Sequence, residues 1–160
     1  MEATQVRRGI ESMRVEQVEK LLAEVGDLLD LQQITAAGEE PCWVLATKGD
    51  EIIHVDFEQE TSRLYLSTSI GKARAEDYGL LLTYSSLWKE TLGLYCALEG
   101  AEGDAILVFA RVASYLHPPR FAAIIEDFVS RAAIWREYLA RTGESPVAPP
   151  LPQGAGLIRV

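Results

Sequence analysis

The sequence is poor in cysteine, in histidine and in positive charge. Its 160 residues hold two Cys, two His, and 15 Lys and Arg against 24 Asp and Glu, a formal net charge of -9. No stretch gathers enough basic side chains to neutralise a run of phosphates, which argues against nucleic acid and anionic membrane as partners. An acidic surface supplies solubility instead, and long-range attraction for a basic or amphipathic segment of another protein. Cys42 and Cys96 stand far apart, each inside an apolar strand-like run. That is the pattern of reduced core thiols rather than of a disulfide or redox pair. No apolar run approaches the length of a membrane span. Arg7 and Arg8 near the start precede no apolar segment, so a secretory signal is not expected. Also missing are a Gly-rich phosphate loop, a G-x-S-x-G elbow, an H-E-x-x-H pair and a Cys-x-x-Cys pair, each absence removing a large reaction class.

What is present describes one folded domain. Apolar residues make up 48% of the chain and charged residues 24%, the balance of a globular protein rather than a disordered one, and the length suits a single core. Residues 1–11 read as a flexible N-terminus, 12–142 as the domain, and 143–160 as a flexible tail rich in Pro and Gly. Within the tail, Ala148 to Pro152 (Ala-Pro-Pro-Leu-Pro) has the composition of a polyproline ligand, though a plain flexible terminus is the favoured reading.

From Ser12 to Leu31, Val15, Val18, Leu21, Leu22, Val25, Leu28 and Leu29 recur at helical spacing, which predicts an amphipathic helix. Gly26 inside it is unfavourable on propensity alone. The stretch Thr35 to Pro41 reads as a loop. Three strands are then expected at Cys42–Thr47, Glu51–Phe57 and Arg63–Thr68. In the second, Ile53, Val55 and Phe57 share one face and His54 and Asp56 the other, the alternation of an antiparallel sheet with one covered face. Helical spacing returns from Arg74 to Leu92 with more large apolar groups than one face needs. Strands follow at Leu94–Leu98 and Ala105–Val112, joined by a Gly-containing turn. The second is so continuously apolar that both its faces should be covered. A last helix begins after His117-Pro118-Pro119 and ends near Thr142-Gly143. The predicted class is α+β, an antiparallel sheet with three helices in the order α-β-β-β-α-β-β-α.

Candidate chemistry is thin. Asp56, Glu58 and Glu60 gather around one hairpin and could in principle bind a hard cation or act as acid and base, but hairpin carboxylates are commonly just solvated. His54 and His117 lack evident partners for a base or ligand role. No catalytic residue, metal or cofactor is assigned. Of Trp43, Trp88 and Trp135, Trp88 stands out, because its helix has Leu and Tyr enough for its own core face. A surplus apolar face of that kind suits a self-complementary dimer.

The order of elements, the runs Glu51-Ile-Ile-His-Val-Asp-Phe57 and Arg63-Leu-Tyr-Leu-Ser-Thr68, the Leu-rich helix ending Leu87-Trp-Lys-Glu-Thr-Leu-Gly93, and Phe128-Val-Ser-Arg-Ala-Ala-Ile-Trp-Arg-Glu-Tyr-Leu139 together resemble the class I type III secretion chaperones, the Tir-chaperone family. The resemblance covers roughly residues 15 to 141. It implies an ATP-independent bacterial cytoplasmic homodimer that binds an extended N-terminal segment of a secreted effector in apolar grooves and at a sheet edge, and keeps it competent for export. Carried over by position, it implies Val44, Ile53, Val55, Phe57, Leu64 and Leu66 as effector contacts, although for any single one of them plain core is the favoured reading. It implies Leu87, Trp88, Leu92, Leu94 and Tyr95 at the dimer contact. Arg111 departs from the pattern as a charge in an apolar strand, as does the tail after Gly143. An adaptor of the same fold outside secretion and, more remotely, an enzyme with an unrecognised site are the alternatives.

Overall fold

The first helix, α1 (Val15–Leu29), forms because Val18, Leu21, Leu22 and Val25 repeat at three- and four-residue spacing and all four are buried. The Gln17 side chain accepts the Arg14 backbone N–H at 2.8 Å at its start. Asp30, at φ 52, ends it in the left-handed turn that Asp tolerates better than most residues. These elements belong to a computed structural model that describes residues 13–143.

Six strands follow among the described residues: β1 (Gln33–Ala36), β2 (Cys42–Ala46), β3 (Ile52–Glu58), β4 (Arg63–Lys72), β5 (Leu94–Glu99) and β6 (Asp104–Val112). Two further helices are α2 (Tyr78–Ser86) and α3 (Pro118–Gly143). All strand pairs are antiparallel and the sheet order is β1-β2-β3-β4-β6-β5. The class is therefore α+β as expected.

Two stretches differ from the sequence expectation. The first follows α1, where Gln33–Ala36, unassigned in its first half and in the Thr35–Pro41 stretch read as a loop in its second, pairs with β2 as a sixth strand. Its side chains are mostly exposed, so no alternating apolar face announced it. Gly26 makes it possible. A Cβ there would stand 2.7 Å from Ile34 Cδ1, so the glycine lets β1 lie against α1. The second is the helix expected over Arg74–Leu92, which is only Tyr78–Ser86, preceded by one 3-10 turn at Ala75–Asp77. Thr83, Ser85 and Ser86 turn their hydroxyls onto the carbonyls of Gly79, Leu81 and Thr83. Such local bonds compete with the helix and favour its end. Beyond it Leu92 and Gly93 both take positive φ, 59 and 104, and reverse the chain into β5.

One face of the sheet carries Leu45, Ile53, Val55, Leu64, Leu66 and Leu107, all fully buried, with Trp43, Phe57 and Phe109 nearly so. The helices α1 and α3 pack on this face, bringing Phe121, Ile125 and Phe128. Each such side chain contributes about 1.5–3 kcal/mol by leaving water. The opposite face carries the alternate residues of each strand. On it Val108 is buried while Ile106 and Ala110 are half-buried, so β6 is better covered on that side than the other strands.

Arg136 of α3 ties the sheet to the helix layer. Its guanidinium donates to the Ser69 carbonyl from Nε at 2.8 Å and from Nη2 at 2.6 Å, and to Thr68 Oγ1 at 3.1 Å. It also forms a forked pair with Glu51, Nη1 to Oε2 at 2.6 Å and Nη2 to Oε1. The fixed fork of guanidinium matches a carboxylate in this way, whereas an ammonium does not.

Candidate functional site

The two edges of the sheet are not equivalent. β5 is bonded to β6 on one side, and on the other Ser85 of α2 occupies its backbone. The Ser85 Oγ accepts the Cys96 N–H at 3.0 Å and lies 2.9 Å from the Cys96 carbonyl, while the Thr91 hydroxyl donates to the Leu94 carbonyl at 2.7 Å. Side-chain bonds of this kind block strand addition. β1 is bonded only to β2, and its outer N–H and C=O groups carry no such plug among the described residues. Leu28 at the end of α1 is exposed beside it, and Leu31 and Ile34 are half-buried. An open edge next to apolar side chains can take an extended chain, main-chain pairing giving affinity and the apolar groups selectivity.

Of the six residues expected at an effector groove, Ile53, Val55, Phe57, Leu64 and Leu66 are buried beneath α1 and α3, and the sheet brings them together as core. They present no surface to a partner while the helices are in place. Val44 points the other way, half-buried on the open face, opposite His54 in the β2–β3 register. The alternation identified the covered face correctly, but whether helix or partner covers it is a matter of tertiary packing.

Of the five residues expected at a self-contact, Leu94 is core, Tyr95 is half-buried, and Leu87, Trp88 and Leu92 are exposed, Trp88 to 54% and Leu92 to 66%. Leu80, Leu82 and Leu98, which the sequence reading did not place at a self-contact, are exposed as well, Leu82 to 71%. The all-round apolar character of this helix was the signal for them, since a short helix apolar on every side is normally covered on every side. Leu82 and Leu98 line a small hollow with Tyr78, Leu81 and Cys96.

Trp88, Leu92, Tyr95 and Tyr115 instead line a cavity of about 800 Å³ at the end of the sheet where β5 begins and β6 ends. Arg111, the charge that looked out of place in an apolar strand, lies at this end, lines the cavity and donates to the Leu92 carbonyl at 3.3 Å.

The remaining candidates do not assemble. His54, Asp56, Glu58 and Glu60 are exposed, and Glu58 accepts bonds from the Thr61 hydroxyl and, at 3.4 Å, from the Tyr65 hydroxyl. No group of three or more His, Cys, Asp or Glu among the described residues is placed to hold a metal ion. Burial pushes the Cys96 thiol up to about 12. Burial and the neighbouring Asp56 push Cys42 up to about 11, so neither is an activated nucleophile. Trp43 and Trp135 are core, the latter edge-on to Tyr84 and Tyr138. The Ala148–Pro152 motif lies outside the described residues, and no described helix is long and apolar enough to cross a membrane.

Comparison with known proteins bears on this arrangement. The sequence model of the Tir chaperone protein (CesT) family matches residues 20–136. No curated protein sequence matches the chain. Among solved structures, a chain of the ExsC-ExsE complex is similar with a TM-score of 0.66 at 20% identity, covering 84% of this chain and 98% of that one. A chain of the HopA1-SchA chaperone-effector complex gives 0.64 at 14% identity, with coverage of 75% and 93%. A chain from the complex of the Yersinia pestis type III secretion chaperone SycH with a stable fragment of YscM2 gives 0.55 at 18% identity, with coverage of 72% and 97%. At these identities the structural likeness is one of fold.

Proposed function

The chain belongs to the Tir chaperone protein (CesT) family, and from that premise we propose that it is a type III secretion chaperone, holding an N-terminal segment of a secreted effector in an export-competent state. The observation that carries this reading is the family match itself, which runs from within α1 through the whole sheet and into the last third of α3. The similar structures of a chaperone-effector complex and of a secretion chaperone with a bound fragment support it.

The proposed seat is the open edge of β1 with Leu28, Ile34 and the half-buried outer face at Val44. Ile53, Val55, Phe57, Leu64 and Leu66 hold the strands rigid from beneath. A rigid sheet lowers the cost of binding, because only the client segment is ordered. Binding of this kind needs no covalent step and no nucleotide, so the protein acts as a holder in the bacterial cytoplasm and not as an enzyme. Self-association is proposed through α2 and the turn that follows it, where Leu80, Leu82 and Leu87 are exposed and Leu82 lies with Leu98 in one hollow.

The test uses the full chain, tagged, as bait in the bacterium that encodes it, followed by limited proteolysis of the captured protein and mass spectrometry. The expected result is one secreted protein protected only along a stretch near its N-terminus. Capture restricted to a resident cytoplasmic complex, with no secreted protein, overturns the secretion reading.

A further inference from the structure

The end of α3 and the open edge of β1 meet at one end of the molecule. Arg136 of α3 is paired with Glu51 just before β3, and Leu139 and Ala140 border one cavity with Gly49 and Asp50 of the β2–β3 turn. Lys48 in that turn is paired with Asp30 at the end of α1, and Ala46 before it lies opposite Gln33, the first residue of β1. Helix α3 packs against β4, so a chain leaving it crosses three strand spacings to reach β1 and a fourth to lie beside it, about 19 Å at about 4.8 Å each. Residues 144–160 follow α3 in the sequence. A proline-rich chain extends about 3.1 Å per residue, so Pro146 to Pro152 can bridge about 20 Å. After Gly154-Ala155-Gly156 come Leu157, Ile158, Arg159 and Val160, four residues to match the four of β1.

The edge offers main-chain groups and apolar cover together. Ala37 donates its N–H to the Cys42 carbonyl at 2.8 Å, and residues alternate in an antiparallel ladder, so the main-chain groups of Ile34 and Ala36 face away from β2. The Ile34 side chain turns to Gly26 of α1, and Leu28 on the same helix is 57% exposed. We propose that Leu157–Val160 of this chain pair with β1 as an added strand when no client is bound, so that the protein guards its own client site. The inference rests on the reading of the β1 edge as the client seat and concerns how that seat is kept while empty.

An open strand edge is a template for aggregation, which proteins suppress by covering it. In an added strand Ile158 and Val160 share one face, fit to lie against Ile34 and Leu28, and both residue types favour the extended chain. Proline lacks the N–H that a ladder needs, so the stretch from Pro146 to Pro152 serves as the span and not as the strand. Residues 13–42 hold seven Asp and Glu against Arg14 and Lys20, and Arg159 is the one basic residue of 144–160, so its charge is attracted to this side of the protein. Tethering raises the local concentration of the segment to about the millimolar range. A four-residue strand of low intrinsic affinity can then hold the edge and still yield to a longer client.

Hydrogen exchange at the Ile34 and Ala36 amides of the full chain reads the edge directly. Replacing the three apolar residues together, Leu157→Ser, Ile158→Ser and Val160→Ser, should speed exchange of both amides at least about ten-fold while amides of β3 keep their rates. A fluorescent peptide of residues 153–160 should bind this triple variant at least about ten-fold more tightly than the parent, whose edge is occupied, and adding Leu28→Asp to the variant should abolish that binding. Unchanged exchange in the triple variant overturns the proposal, as does equal affinity of the peptide for parent and variant. Protection that rises with protein concentration also overturns it, a second copy being then the occupant. The client seat is tested apart from this, by exchange of the same two amides in the complex with the captured client. Protection there, with no response to the tail substitutions, removes the tail from the edge and leaves the seat standing.

Discussion

Replacing Arg136 by Met keeps most of the aliphatic stem and removes the guanidinium that ties α3 to β3 and β4. The Glu51 side chain, 11% exposed, then loses its counter-charge and is left with the Thr68 hydroxyl, which also lies 2.8 Å from the Ile52 carbonyl. The Ser69 carbonyl loses both of its guanidinium donors. Breaking a fully buried pair from one side costs about 3–5 kcal/mol, because the surviving charge is stranded. Arg136 is 36% exposed, so water replaces part of what is lost, and a destabilisation of about 2–3 kcal/mol is expected. Urea unfolding measures this directly. With a slope of about 1–3 kcal/mol/M for a domain of this size, the midpoint should fall by roughly 0.7–3 M at unchanged slope. Glu51→Gln, which keeps an acceptor for the guanidinium, should cost only about 1 kcal/mol. The double variant Glu51→Met, Arg136→Met should lose less than the two single changes to Met added together, since no charge is stranded. An Arg136→Met protein within about 0.5 kcal/mol of the parent would refute the view that this pair clamps the layers.

Ser85→Ala removes the plug on β5, leaving the Cys96 N–H without its 3.0 Å acceptor. About 1–2 kcal/mol of stability should go, and hydrogen exchange at the Cys96 amide should speed up while amides of β3 are unaffected. Leu82→Lys adds charge to the most exposed apolar position of α2 and should move the sedimentation coefficient from dimer to monomer with no loss of helical signal, whereas a dimer that persists would place self-association elsewhere. The two thiols should react slowly with a disulfide reagent near neutral pH, Cys96 more slowly than Cys42, because burial raises them from 9.0 to about 12 and about 11. A raised value in the folded state means that the neutral thiols add stability fully below pH 9.0, and that this part is lost as pH climbs through 11 towards 12. Rapid labelling at pH 7 in the native state contradicts the placement of both residues.

The sequence by itself determined the α+β class, the register face of β3 and β4, the long last helix and the surplus of apolar residues around α2. These features follow from spacing, and spacing is written in the chain: side chains two apart share a strand face, and those three or four apart share a helix face. The same logic found Trp88 as the tryptophan without a place in the core. Tertiary structure decided three other matters. It showed that Ile53, Val55, Phe57, Leu64 and Leu66 are covered by the protein's own helices, which periodicity cannot distinguish from cover by a partner. It made a strand of Gln33–Ala36, whose polar residues carry no period and which exists because β2 offers an edge and Gly26 leaves room for Ile34. And it drew Arg63, Lys89, Arg111 and Arg120 into one cavity. They come from β4, the turn after α2, β6 and α3. Charges so far apart along the chain become one field only when the strands and helices that carry them meet, because electrostatic interaction depends on distance through space.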